Sequence, residues 1–190
     1  MHAFLLRALG SPDARREEQG FLYRVERVED DGIVVLVQRA KGSKDDVNAA
    51  TLADVVRDAS LQPVLDRIEV GARFQFRILA NVTKKIDTKS KDGVRRHGRR
   101  VPLLQEEQQL AWLVSKSHRH GFSLISTRIR ASGTAALGVR EGCRIAHRGV
   151  LFDGELTVTD VEAMSAALQH GIGPGKAYGF GLLSLAPADA

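Results

Sequence analysis

The two halves of this 190-residue chain carry the same succession of hydrophobic patterns, and that repetition limits the folds open to it. In the first half, residues 2–9 are helical in composition and stop at Gly10-Ser-Pro. Residues 21–28 alternate loosely and residues 33–38 are β-branched and nearly continuous; both read as strands, with a turn at Asp30-Asp31-Gly32. Residues 51–58 read as a helix, and residues 73–81 alternate with period two as a strand. The second half repeats the order. Residues 105–118 place Leu110, Leu113 and Val114 at helical spacing, and residues 122–130 read as a strand. Residues 144–159 are expected to form a hairpin turning at Asp153-Gly154. Asp160 suits the N-cap of a helix over 161–170, because its carboxylate can accept from unpaired first-turn amides. A strand over 180–187 closes the chain.

Each half therefore reads α-β-β-α-β, and one leading strand would complete the β-α-β-β-α-β ferredoxin-like pattern. The expected fold class is α+β, with two tandem ferredoxin-like (RRM-like) domains at 1–82 and 83–190. For the second domain, the strand ending near Lys85 or the short Val101-Pro-Leu segment would supply the leading strand. The first domain has no such strand after Met1. That strand is central in such a sheet, and leaving it out strands backbone groups unpaired. We expect a segment upstream of Met1 to fill the place, or failing that another part of the chain.

Apolar residues make up 43% of the chain and charged residues 27%, which suits a packed core and argues against wholesale disorder. The longest apolar runs, near residues 32–37 and 181–186, are too short for a bilayer, and no secretory leader pattern opens the sequence. With a single cysteine, Cys143, the sequence holds neither an internal disulfide nor a multi-cysteine zinc site, and a reducing, cytoplasmic setting is expected.

Lys and Arg number 28 against 23 Asp and Glu, and their distribution matters more than the excess. Lys84, Lys85, Lys89, Lys91, Arg95, Arg96, Arg99 and Arg100 share one stretch with only Asp87 and Asp92. Arg128, Arg130, Arg140, Arg144 and Arg148 follow, with Glu141 the one acid among them. One such cluster is ordinarily a solvated loop; two in the same half, rich in forked guanidinium donors, point to nucleic-acid phosphates.

Residues 171–181 hold five glycines and Lys176 between a helix and a strand. Such loops tolerate positive φ, and their backbone amides can cradle phosphate oxygens. A tight helix-to-strand connection needing glycine for sterics stands beside a role for Gly173, Gly175 and Lys176 on an RNA backbone. The pattern is neither a P-loop nor a dinucleotide fingerprint, which follow strands. The remaining candidates have plainer readings. His118 and His120 suit a helix end, and His147 and His170 suit structural roles. His97 would touch RNA as part of its loop, whereas Trp112, Leu113, Phe21 and Tyr23 suit packing. Cys143 has no motif around it.

Several segments follow one another in a familiar order. They are Arg77-Ile-Leu-Ala-Asn-Val-Thr-Lys-Lys, Arg99-Arg-Val-Pro-Leu, Glu107-Gln-Gln-Leu-Ala-Trp-Leu, Gly149-Val-Leu-Phe-Asp-Gly, Gly171-Ile-Gly-Pro-Gly-Lys and Gly181-Leu-Leu-Ser-Leu-Ala-Pro. Together they closely resemble the CasE/Cse3 family of CRISPR repeat-processing endoribonucleases of type I-E systems. The resemblance implies two tandem ferredoxin-like domains and metal-independent cleavage at the 3′ base of a repeat hairpin, with no cofactor. It also implies retention of the product inside Cascade, beside the backbone subunit. His2 falls at the family's catalytic position, suited to move protons near neutral pH as general acid or base. Arg7 matches a basic position that would stabilise charge on the reacting phosphate. A non-catalytic hairpin-binding subunit, or a basic scaffold for acidic partners, are the competing functions.

Overall fold

A computed structural model describes residues 21–29, 32–39, 59–86, 98–140 and 143–188, the backbone alone being described at 29, 131–140 and 143–146. His2, Arg7, the expected helices at 2–9 and 51–58, and Lys89, Lys91, Arg95, Arg96 and His97 lie outside the described residues.

In chain order the elements are β1 (Phe21–Glu29), β2 (Gly32–Arg39), α1 (Gln62–Leu65), β3 (Arg73–Ala80), β4 (Thr83–Ile86) and β5 (Arg99–Pro102). There follow α2 (Glu106–Arg119), β6 (Phe122–Arg140), β7 (Cys143–Val158), α3 (Val161–His170), a 3-10 turn at Lys176–Tyr178, and β8 (Leu183–Pro187). Strands β6, β7, β3 and β8 form one antiparallel sheet in that order. With α2 and α3 included, the succession is β3-α2-β6-β7-α3-β8. This is the β-α-β-β-α-β pattern, its leading strand inside the sheet.

That result corrects one expectation. The strand over 73–81, placed by chain order with the first half, pairs in one sheet with β7 and β8 of the second half. Phe74, Phe76, Ile78 and Ala80 are buried at every second position, which identifies a strand but says nothing of its neighbours. The pairing decides: Arg73 to Ala80 run against Thr157 to Val150 of β7, and Phe74 to Ile78 against Pro187 to Leu183 of β8. The Val101-Pro-Leu segment contributes instead to β5, paired with β4.

A second expectation also fails. No turn occurs at Asp153-Gly154, because β7 runs straight through it, Asp153 lying opposite both Arg77 and Arg128. Glycine is needed there for a different reason. A Cβ at Gly154 would stand 2.1 Å from the Ser126 carbonyl oxygen, where β6 bulges between Leu124 and Ser126.

Helices α2 and α3 lie on one face of the sheet. Leu113 of α2 and Met164, Ala167 and Leu168 of α3 meet Phe76, Ile78, Phe122, Phe152, Leu156 and Val158 in one apolar core. Each large side chain so buried contributes roughly 1.5–3 kcal/mol, enough to fix which face of each element points inward. Asp160 caps α3 as expected, its Oδ1 accepting from the Ala163 amide at 2.9 Å. Beyond Ala80–Val150, β6 and β7 continue without β3 as a two-stranded arm, pairing from Ala135–Arg148 to Arg140–Cys143.

The β1–β2 hairpin joins this unit through buried residues. Arg24 Nη2 donates to Ser184 Oγ at 2.9 Å, and Nη1 reaches the carbonyl oxygens of Arg77 and Leu182. The Tyr23 hydroxyl donates to the Ala177 carbonyl at 3.0 Å, so Tyr23 packs, as the sequence suggested. Burial, and secondarily Tyr178, push its phenol up to about 12. Among the described residues no helix is long and apolar enough to cross a membrane.

Candidate nucleic-acid interface

The described ends of the basic stretch, 84–86 and 98–100, lie on or beside an antiparallel strand pair. Lys84 and Lys85 stand on β4 and Arg99 and Arg100 on β5, all exposed, with Lys85 directly opposite Arg100. Like charges facing across an antiparallel pair destabilise it. Among the described residues only a weak contact, Arg100 Nη1 to Thr83 Oγ1 at 3.5 Å, ties one of them to a neighbour. The arrangement leaves these four cations available to an anion.

The arginines of the second cluster divide between surfaces. Arg128 and Arg130 project from the sheet face opposite the helices, into a cleft of about 760 Å³ shared with Arg24, Arg77, Glu26 and Asp153. There Arg77 Nε donates to Asp153 Oδ1 at 2.6 Å, which holds the guanidinium charged. Arg130 Nε lies 3.6 Å from Asp153 Oδ2, an oxygen otherwise buried without a hydrogen bond. Arg77 and Arg130 thus both face Asp153. Arg148 is exposed on β7, and Arg140 and Arg144 lie at the far end of the β6–β7 arm.

The glycine loop is set by packing. Gly171, Gly173, Gly175, Gly179 and Gly181 all have positive φ, and each faces another part of the chain. A Cβ at Gly181 would stand 2.5 Å from the Ile172 carbonyl oxygen; one at Gly173 would meet the Trp112 ring at 3.1 Å. Trp112 is therefore half-buried against this loop rather than wholly in the core. Steric need accounts for these glycines, and it leaves Lys176 exposed at the surface.

Two histidines gain neighbours that the sequence did not reveal. His147 Nδ1 accepts from Asn81 Nδ2 at 3.0 Å, and its ring lies 4.4 Å from that of Tyr178. Burial lowers its proton affinity. His120 follows the last turn of α2, beside Lys116 and Arg119 and within electrostatic reach of Lys176. Burial and those three cations depress its pKa. Lys116 is lowered too, by burial and then by Arg119 and Arg100. Lys116, Arg119 and His120 were missed because their convergence with Lys176 joins segments over fifty residues apart in sequence. Among the described residues, no three of His, Cys, Asp and Glu converge as a metal site.

Residues 1–187 match the family described as CRISPR associated protein. The chain belongs to that family. It is 33% identical over 188 residues to the CRISPR system Cascade subunit CasE of Escherichia coli K12, covering 93% of this chain and 84% of that protein. It is 33% identical over 137 residues to the CRISPR-associated endoribonuclease Cse3 of Thermus thermophilus, covering 66% and 61%. The structure of Thermus thermophilus Cse3 bound to an RNA representing a pre-cleavage complex superposes with a TM-score of 0.76 at 31% identity, covering 98% of this chain and 87% of that one. The family and the ferredoxin-like succession around β3 agree with the tandem-domain fold.

Proposed function

We propose that this protein is a CRISPR repeat-processing endoribonuclease that cleaves the precursor RNA at the 3′ base of the repeat hairpin, then keeps the hairpin as a subunit of Cascade. The observation that carries this reading is the likeness, over nearly the whole chain, to a relative captured with RNA in a pre-cleavage complex. We place it in the cytoplasm. The second ferredoxin-like unit begins ahead of β3, and the first lies before it.

Cleavage needs no metal. The 2′-hydroxyl beside the scissile bond loses its proton and attacks the adjacent phosphorus in line. The bond from phosphorus to the 5′ oxygen breaks, and that oxygen is protonated as it leaves. The products are a 2′,3′-cyclic phosphate and a free 5′-hydroxyl. His2 carries one of the two proton transfers, because imidazole exchanges protons near neutral pH. Arg7 stabilises the charge that grows on the phosphorane oxygens.

The RNA stem is A-form, so recognition rests on shape and backbone charge. Lys84, Lys85, Arg99 and Arg100, continued by Lys89, Lys91, Arg95 and Arg96, grip the stem. Arg140, Arg144 and Arg148 on the β6–β7 arm extend that grip. Lys176, carried by the loop that Gly173 and Gly175 shape, meets backbone phosphate, and Arg128 and Arg130 complete the basic set from the cleft. Binding of a labelled repeat hairpin, titrated against salt with and without Lys84→Gln plus Arg99→Gln, tests the grip. A loss of affinity that shrinks at high salt supports it, and an unchanged titration contradicts it.

A further inference from the structure

Where the end of α2 meets the glycine loop, cations gather from three elements. Lys116 and Arg119 come from α2, Lys176 from the loop, and Arg100 from β5 on the side of Lys116. Among the described residues none of the four forms an ion pair, whereas Arg24, Arg73, Arg77 and Arg130 all do. The nearby acid, Asp160, has its backbone against Gly121 and its carboxylate on the Ala163 amide. Crowded like charges raise one another's energy, and an arriving anion relieves all of them together.

The corner is also held in place. Lys116 Nζ stands 5.6 Å from the centroid of the Trp112 ring, a cation–π placement. The outer edge of the same ring rests against Gly173, where a Cβ would stand 3.1 Å from it and the backbone φ is positive. Trp112 thus fastens the loop bearing Lys176 to the helix bearing Lys116 and Arg119. Among these cations sits His120, which closes α2 with its amide on the Lys116 and Ser117 carbonyls.

We propose that Lys116, Arg119, His120 and Lys176 form a clamp for backbone phosphate of the bound RNA, and that His120 takes up a proton as the RNA binds. The inference rests on the RNA-processing reading above. The charged groups facing His120 are Lys116 and Arg119 on its own helix and Lys176 on the loop, and all three oppose its protonation in the free protein. A phosphate reverses that balance, because an adjacent negative charge favours imidazolium. Proton uptake on binding means that affinity strengthens as pH falls into the range of an ordinary imidazole. The clamp reads no bases, since lysine and arginine meet phosphate oxygens alone.

The test measures repeat-hairpin affinity for the full chain across salt and between about pH 8 and pH 6. Variants are His120→Gln, the pair Lys116→Gln with Arg119→Gln, and Lys176→Gln. The pair should reduce the slope of log affinity against log salt by roughly 1 to 2. His120→Gln should match wild type near pH 8 and lose part of the strengthening seen towards pH 6. Thermal melting checks folding. If the pair unfolds, Lys176→Gln, an exposed position, carries the salt test. Wild-type slope and pH dependence in every variant would overturn the clamp while leaving hairpin recognition standing. Variants that bind RNA normally but no longer associate with other protein subunits would overturn it too, assigning the corner to an acidic protein face. Failure of the wild-type chain to bind the hairpin removes the functional reading itself.

Discussion

Arg24 and Ser184 are joined by a 2.9 Å hydrogen bond across 160 residues of sequence, from the last position of the buried run Leu22–Arg24 in β1 to the C-terminal strand β8. The same guanidinium makes two contacts to Glu26 Oε1 and reaches two backbone carbonyls, so one side chain satisfies acceptors on three elements. Its side chain is 5% exposed, and its removal leaves buried acceptors without a donor. Arg24→Met should cost about 2–4 kcal/mol, read as a lower urea midpoint. Arg24→Lys should recover only part of it, because an ammonium cannot reproduce the fork. Equal stability of wild type and Arg24→Met would refute the tie.

The close backbone approach in the sheet gives a second expectation. Gly154→Ala places a methyl 2.1 Å from the Ser126 carbonyl, so β6 and β7 must separate at the bulge. The loss should exceed the roughly 1–3 kcal/mol of ordinary overpacking, with a clear drop in melting temperature. Gly32→Ala, at a position with nothing within 4 Å, is the matched control and should change stability little.

Stability should also depend on pH. His147 and His120 both bind protons less readily in the folded chain than an ordinary imidazole does. The unfolded chain therefore holds more protons below about pH 6.5, and stability is complete above that point and falls as pH drops through it. Melting temperature measured from about pH 8 to pH 5 should decline on the acid side. His147→Gln, whose side-chain oxygen can still accept from Asn81, should decline less steeply than wild type.

The β4–β5 hairpin sets stability against binding. Lys85 opposite Arg100 is a like-charge pair, and Lys85→Glu turns it into an attractive one. Local stability should rise by about 0.2–1 kcal/mol, while hairpin RNA binds more weakly. Calorimetric melting and an RNA titration at one salt concentration check both signs. A gain in affinity would show that this hairpin does not face the RNA.

Much of this was legible in the sequence because it depends on local chemistry. The Asp160 cap, the limits of α3, and the β1–β2 pairing follow from residues a few positions apart. What was hidden depends on distant partners. Period-two burial in residues 73–80 marks a strand wherever it pairs, so its pairing with β7 and β8 had no local sign. Asp153-Gly154 carries the composition of a turn, and only the opposing Ser126 carbonyl explains why glycine stands in mid-strand. Arg24 looks like any arginine in an alternating strand until Leu182 and Ser184 close over it. The cations at the end of α2 became a group only when Trp112 met Gly173.

The most direct measurement is incubation of a repeat hairpin transcript with the wild-type chain and with His2→Ala, in EDTA and at low ionic strength. The account predicts a single cut at the 3′ base of the hairpin by wild type, and binding without cleavage by His2→Ala. Equal cutting by the two proteins would contradict the role of His2, and no association of either with the hairpin would contradict the function as a whole.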